Sequence, residues 1–281
     1  MKKILKIIGI AIVLLFALIG FVLTAGYIAI RLGWTNTPGM IDNQRQAFLD
    51  GGNNVAGQMA SVIDSSSQNS WDNTPEWFTL KAAILKDQVV INRAATTSGV
   101  PARLIVENLI AEQLRFYYDD RASYEKFFAP LKILGSETQF SWGVMGIKEA
   151  TAVNIEKNIT ATTSPFYLGN QYQHLLDFQS TSINQERFTR MTNQDDHYYS
   201  YLYAGLYIHQ VEHQWLTSGF DISQKPDVVA TLYNIGFANS HPHMGAQSGG
   251  AAIPLGTVVW SFGSLAKSFY DSNELVNEFP R

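Results

Sequence analysis

Apolar residues run without a charge from Ile7 to Ile30, 24 positions in all, which is enough for a helix to cross a bilayer. Lys2, Lys3 and Lys6 precede this stretch and Arg31 stands just after it, a bias that keeps the N-terminus in the cytoplasm and exports the chain beyond Arg31. A cleaved signal would carry an apolar run of only about 7–15 residues, and Leu23-Thr24-Ala25 makes a poor cleavage site. The expectation is a retained single-pass anchor over residues 1–34, in the cytoplasmic (inner) membrane. Residues 35–76 read as a polar stalk. Thr35 to Gly39 is turn-like, and Asp64 to Thr74 is rich in Ser, Asn, Gln and Asp. Between them Phe48, Val55, Met59 and Val62 are spaced for one side of a short amphipathic helix.

From Trp77 the spacing predicts helix, with Leu80, Ile84, Val89 and Ile91 ahead of a break at Thr96 to Gly99. Pro101 suits a first helical turn and opens a second helix to about Phe116. Gln171 to Phe178, Tyr198 to Leu216 and Pro226 to Tyr233 carry apolar residues at three- and four-residue spacing, and Ile253 to Tyr270 reads as a closing helix. Between Tyr117 and Trp142 the pattern is irregular, and Gly135, Ser136, Thr138 and Ser141 mark turns that leave room for a small β-hairpin. Strict alternation is scarce and tandem repeats are absent, so residues 77–281 are expected to form one mainly α domain.

Composition narrows the chemistry. The 281 residues include no cysteine, which removes disulfides, thiol nucleophiles and thiolate-held metals. Removing residues 1–34 takes away four basic side chains and no acidic one, leaving 16 basic against 24 acidic, a net of −8. A nucleic-acid partner is therefore not expected. An aromatic content of 12% favours a ligand held by shape, hydrogen bonds and stacking.

Projected at 100° per residue, the helix from Pro101 to Phe116 places Ile105, Leu109, Glu112 and Phe116 within about 60° of one another. Glu112 thus shares the buried stripe, while Glu107 falls on the opposite side, where a solvated carboxylate is expected. A carboxyl group pressed against apolar neighbours keeps its proton more readily and can serve as a general acid. The other reading of the same residue is a structural Glu112 paired with Arg115.

Further along, Ser141-Trp142-Gly143-Val144-Met145-Gly146-Ile147-Lys148-Glu149-Ala150-Thr151-Ala152 resembles the Gly-Leu-Met-Gln-(Ile/Leu)-x-Pro-x-Thr-Ala box of lytic transglycosylases and goose-type lysozymes. Ala230-Thr231-Leu232-Tyr233-Asn234-Ile235-Gly236 resembles their Ala-Ala-Tyr-Asn-x-Gly box. Glu112, after Val100-Pro101 and near the end of an apolar helix, occupies the place of their catalytic glutamate. Tyr203-Ala204-Gly205 followed by Ile208 is similar to the helix that precedes the Tyr-Asn-x-Gly segment. The likeness spans roughly residues 77–270. Gln113 stands where the family has Ser, Gly146 where it has Gln and Glu149 where it has Pro. The 31 positions from Glu112 to Gly143 imply an insertion containing Tyr117 to Leu134.

The resemblance implies a lysozyme-like fold that cuts the β-1,4 bond between N-acetylmuramic acid and N-acetylglucosamine in peptidoglycan glycan strands, with no cofactor. Glu112 would act as acid and then as base, releasing a 1,6-anhydromuramoyl product. Tyr233 and Asn234 would bond the acid or an N-acetyl group, and Gly236 would permit a tight turn. Gly143 and Met145 would bring backbone and an apolar wall to the sugar beside Ser141, and Trp142, Phe237 and Tyr117 would stack on it. Cell-wall or secretion-machinery proteins are the expected protein partners.

Three alternatives stand beside this reading. A hydrolytic lysozyme needs a second carboxylate, with Asp119, Asp120, Glu125 and Glu137 as candidates. A non-catalytic wall-binding or scaffolding module needs none. His209-Gln210-Val211-Glu212-His213 spells the His-x-x-Glu-His of inverted zinc peptidases, and His241-Pro242-His243 has the look of a metal clip.

Overall fold

A computed structural model of the chain describes residues 71–118, 141–193, 195–255 and 258–281, together with Gly20, Phe21, Thr24 and Ala25. Those four N-terminal positions are helical. The remainder of the expected anchor and the stalk through residue 70 lie outside the described residues. Among the described residues no helix is long and apolar enough to cross a membrane.

The described chain is mainly helical. Helix α1 (Pro75–Lys86) starts where the Thr74 side chain accepts from the Trp77 amide, with proline in its first turn; a hydroxyl cap and an N1 proline both suit a helix start. Asp87 caps its C-terminus, its N–H donating to Ala83 O at 3.1 Å, and its φ of −91° and ψ of 5° interrupt the helical run. Helix α2 (Gln88–Ser98) starts there, with the Asp87 carbonyl accepting from Ile91 N at 2.9 Å. It ends at Gly99, whose φ of +78° suits glycine, and a Cβ there would sit 2.6 Å from the Tyr172 hydroxyl. Helix α3 (Ala102–Tyr118) comes next. The short strands β1 (Ser141–Trp142) and β2 (Ile147–Lys148) pair antiparallel and lead into α4 (Glu149–Thr160). Then come α5 (Ile183–Thr192), α6 (Tyr198–Thr217) and α7 (Pro226–Ile235). A hairpin of β3 (Ala252–Leu255) and β4 (Val258–Ser261) precedes α8 (Phe262–Asp271).

Two sequence expectations change here. The segment from Gln171 to Phe178 is a 3₁₀ turn at Asn170–Tyr172 followed by further turns, too short a run to repay helix nucleation. The closing helix is split: Ile253, Leu255, Val258 and Val259 pair as strands, and α8 begins only at Phe262 behind a capping box between Ser261 and Ser264. β-branched residues favour that hairpin.

Helix α3 is the axis of the bundle, packed by α1, α2, α6, α7, α8 and β3. Its residues Leu104, Ile105, Val106, Leu109, Ile110, Ala111 and Leu114 are buried, and so are Arg103, Glu107, Asn108 and Glu112. The expectation of a solvated Glu107 is thus overturned. A one-sided stripe predicts an exposed opposite face only for a surface helix, and α3 is enclosed on every side. Arg103 resolves its own burial by donating to the carbonyls of Phe269, Tyr270, Ser272, Glu274 and Phe279 at 2.8–3.1 Å, which clamps the C-terminal tail onto α3. Both Glu107 oxygens lack a hydrogen-bond donor. Burial first, then the charges of Asp227 and Glu212, push its carboxyl well above the usual range, so it is held neutral.

Two bare glycine surfaces set helix spacing. A Cβ on Gly205 would lie 2.2 Å from Ser98 Oγ, so α6 crosses α2 at that point, and one on Gly263 would lie 2.5 Å from the Asp227 carbonyl, where α8 meets α7. Trp71 is fully buried, in edge contact with Trp77 at 4.9 Å and donating to Ser268 Oγ at 3.0 Å.

Candidate active site

Glu112 lies in the C-terminal half of α3, where the helix meets the turn between β1 and β2. That turn runs from Gly143 to Gly146, closed by Gly146 N–H donating to Gly143 O at 3.3 Å, with φ of +63° at both glycines. Only glycine takes that conformation freely. On Gly146, moreover, a Cβ would fall 1.8 Å from Glu112 Oε1 and 2.5 Å from its carboxyl carbon. The carboxylate rests directly on the bare Cα of Gly146. On Gly143 a Cβ would strike the Met191 carbonyl at 2.2 Å and Ser200 Oγ at 2.7 Å, which seats the turn against α5 and α6. Gln113 ties α3 to the same turn by donating from Nε2 to Val144 O at 2.5 Å.

Glu112 is 3% exposed. Arg115, one turn along α3, donates to both of its oxygens, NH2 to Oε1 at 2.7 Å and Nε to Oε2 at 3.3 Å. The burial read from the helical stripe is present, and so is the ion pair weighed against it. The two act in opposite senses, since burial disfavours the carboxylate charge and the guanidinium favours it.

Helix α7 contributes Tyr233. Its hydroxyl donates to Met145 O at 2.8 Å, and its ring lies 5.1 Å from that of Tyr207 and near parallel to Phe262, at 21°. Burial, and secondly the Glu112 charge, push its phenol well above the ordinary range, so it stays a donor. Residues 112, 143–146 and 233, far apart in the chain, thus meet at one point.

Other candidates are placed differently. Met145 is fully buried and meets Tyr233 through its carbonyl, so it is core and not an apolar wall toward the sugar. Asn234 Oδ1 accepts from Ala251 N–H at 2.8 Å, which binds α7 to β3 and leaves that oxygen engaged away from the acid. Gly236 ends α7 at φ +92°, a turn open to glycine. Half-buried Phe237 stands edge-on to Phe166 at 4.8 Å and 4.3 Å from Tyr207. Ser141 and Trp142 form β1, and Tyr117 belongs to the last turn of α3. The side chains of these three, and the carboxylates Asp119, Asp120, Glu125 and Glu137, lie outside the described residues.

Sequence reasoning missed a cation–aromatic cluster on α5, whose Met191 carbonyl backs Gly143. The Arg190 guanidinium lies 4.8 Å from the Phe178 ring and 4.6 Å from the Tyr199 ring, and Arg187 stands 5.3 Å from Phe178. Helical spacing on α5, Arg187 to Arg190, was the available signal; the aromatic partners come from other segments.

His209 Nδ1 bonds the Ser98 carbonyl at 2.7 Å and its ring meets Tyr172 edge-on at 5.2 Å. Burial pulls His209 below its usual range, while burial and Asp221 push Glu212 up to about 7. His243 packs on Trp215 at 5.6 Å. Among the described residues no group of three or more His, Asp or Glu is placed to hold a metal. No family model, curated protein or solved structure matches this chain.

Proposed function

We propose that this chain is a membrane-anchored lytic transglycosylase with a lysozyme-like catalytic domain outside the cytoplasmic membrane, acting on peptidoglycan. One observation carries the reading: the three segments that resemble family boxes converge on Glu112, with its carboxylate cradled on Gly146 and Tyr233 locked to the same turn.

In the proposed reaction Glu112, having taken up a proton as the glycan excludes water, donates it to the glycosidic oxygen. The C1–O4 bond breaks and positive charge develops on the muramoyl ring. The carboxylate then accepts the C6 hydroxyl proton while O6 closes on C1. Water is not consumed, and the acid is regenerated. One carboxyl can serve both steps because its proton leaves in the first and returns in the second. Arg115 stabilises the charged form between them, and Tyr233 fixes the turn on which the carboxylate rests.

E112Q should abolish release of anhydromuropeptides from purified sacculi while preserving the fold by circular dichroism; undiminished release refutes the assignment. Mass spectrometry separates this enzyme from a lysozyme, which leaves reducing ends. A second reading, a wall-binding module without turnover, draws on the Glu112–Arg115 pair, at 4% and 23% side-chain exposure, which leaves the carboxyl covered and engaged. Sacculus binding with no product at any pH would favour it.

A further inference from the structure

The turn that carries Gly146 has little of its own to hold it in place. Its strands pair over only two residues each, Ser141 with Lys148 and Trp142 with Ile147, and a hairpin that short is marginal by itself in water. Gly143 and Gly146 both sit at φ +63°, and a backbone without Cβ is the freest to swing. Side chains that reach the turn from helices therefore set its position. Ser200 of α6 accepts from Met145 N–H at 3.4 Å, and Tyr233 of α7 donates to Met145 O at 2.8 Å. Both are buried, and both fix the buried residue of the turn. The outer edge is held differently. Gly143 is exposed and Val144 half-buried, and there Gln113 Nε2 donates to Val144 O at 2.5 Å.

Gln113 also comes from the same helix as the acid. It adjoins Glu112 on α3, about 100° away around the axis, and the two side chains meet the turn at different residues, Glu112 Oε1 against Gly146 and Gln113 Nε2 at Val144. These contacts close a small ring that runs from Glu112 through Gln113, Val144 and Met145 to Gly146 and back to the Glu112 carboxyl. Within such a ring one side-chain length and one donor set the offset between acid and turn, without reference to the spacing of α3 from α6 or α7. Few residues meet that need. Val144 presents a carbonyl, so its partner must donate; an ionised glutamate of the same length only accepts, and asparagine ends about 1.5 Å sooner.

We infer that Gln113 is a positioning residue for the proposed cleavage, acting through the Val144 carbonyl to hold Gly146 against Glu112 and so to fix the point from which the acid delivers its proton. The inference rests on the transglycosylase reading and deepens it by assigning a role to the residue beside the acid.

Q113M keeps the length and apolar stem of the side chain and removes the donor; Q113L, also without a donor, takes its place if Q113M does not fold. Full-length parent and variant in detergent micelles are compared on solubilised peptidoglycan glycan strands, well below the melting temperature of either. The variant's kcat should fall by up to about 10²-fold, the effect of displacing a catalytic group by roughly 1 Å, with KM unchanged because substrate binding is not touched. A second readout needs no turnover. In chains labelled with ¹⁵N-glycine, the Gly146 amide, its signal identified through G146A, should shift with pH as Glu112 titrates, lose that response in E112Q, and lose most of it in Q113M. Parental kcat in the variant refutes the inference, and so does a Gly146 amide that responds in the variant as it does in the parent. A fall in kcat that only tracks a lower melting temperature, with the amide response intact, marks a structural role and also refutes it. No anhydro product from the parent, with the amide response lost in the variant, defeats the transglycosylase reading and leaves Gln113 as the residue that positions the Glu112 carboxyl.

Discussion

Replacing Gly146 by alanine tests the centre of the proposed site through a single methyl group. The new Cβ would stand 1.8 Å from Glu112 Oε1 and 2.5 Å from its carboxyl carbon, where ordinary contact begins at 3.4 Å. The turn cannot absorb the difference cheaply, because φ is +63° at this position and alanine there costs about 1–2 kcal/mol. Glu112 must therefore retreat by more than 1 Å, and its bond to Arg115 at 2.7 Å must reform or break. Displacing a catalytic group by about 1 Å costs roughly 10²-fold in rate. G146A should accordingly lose about 100-fold in anhydromuropeptide release, with a stability loss of about 1–3 kcal/mol in urea unfolding. Gly219→Ala supplies the comparison, since φ is +90° there and nothing lies within 4 Å of the added methyl; strain alone should leave its turnover unchanged. Should G146A cleave sacculi as fast as the Gly219 variant, Glu112 does not act from the position the turn dictates, and the proposed site is refuted.

The same geometry makes further outcomes testable. Arg115→Gln removes both donors to the Glu112 carboxylate, at 2.7 and 3.3 Å, and should lower the rate of anhydromuropeptide release; an unchanged rate means that the pair has no part in proton transfer. Tyr233→Phe leaves the Met145 carbonyl without its 2.8 Å donor and should cost about 1–3 kcal/mol together with a fall in kcat, read by calorimetry and product release. Glu107 should make stability fall with rising pH: its carboxyl ionises near 4.5 in the unfolded chain and stays neutral when folded. Each pH unit above that value, up to the folded-state titration, lowers stability by about 1.4 kcal/mol. Glu107→Gln abolishes this slope, so the variant should gain relative to the parent between pH 4.5 and 7 in denaturant titrations. Parallel curves would show that the group is ionised when folded.

Helix positions were legible wherever local signals agree. Pro101 ahead of α3, Pro226 at the first turn of α7, and the spacing from Tyr198 to Leu216 all matched the elements found, within a residue or two. The segment from Ile253 to Tyr270 misled because apolar spacing there satisfies helix and strand alike, and the pairing of β3 with β4 decides between them through partners that a local window does not contain. Glu107 misled for a related reason. Periodicity ranks the faces of one helix against each other, and it cannot register that α8, α7 and α6 enclose α3 from all sides.

Sequence alone supplied the candidate acid, the order of three boxes, the glycines at 143 and 146, and the apolar N-terminal segment, because each is written in neighbouring residues. It also offered both fates of Glu112, buried acid or partner of Arg115. Only the tertiary structure decided that both hold together, that Asn234 bonds Ala251 while Tyr233 bonds Met145, and that Gly146 is bare because a carboxylate lies on it. The contacts of Asn234, Tyr233 and Gly146 depend on distances between groups 17 to 88 positions apart in the chain. Such distances are set by the packing of α3 against its neighbours, which spacing along any one element does not encode.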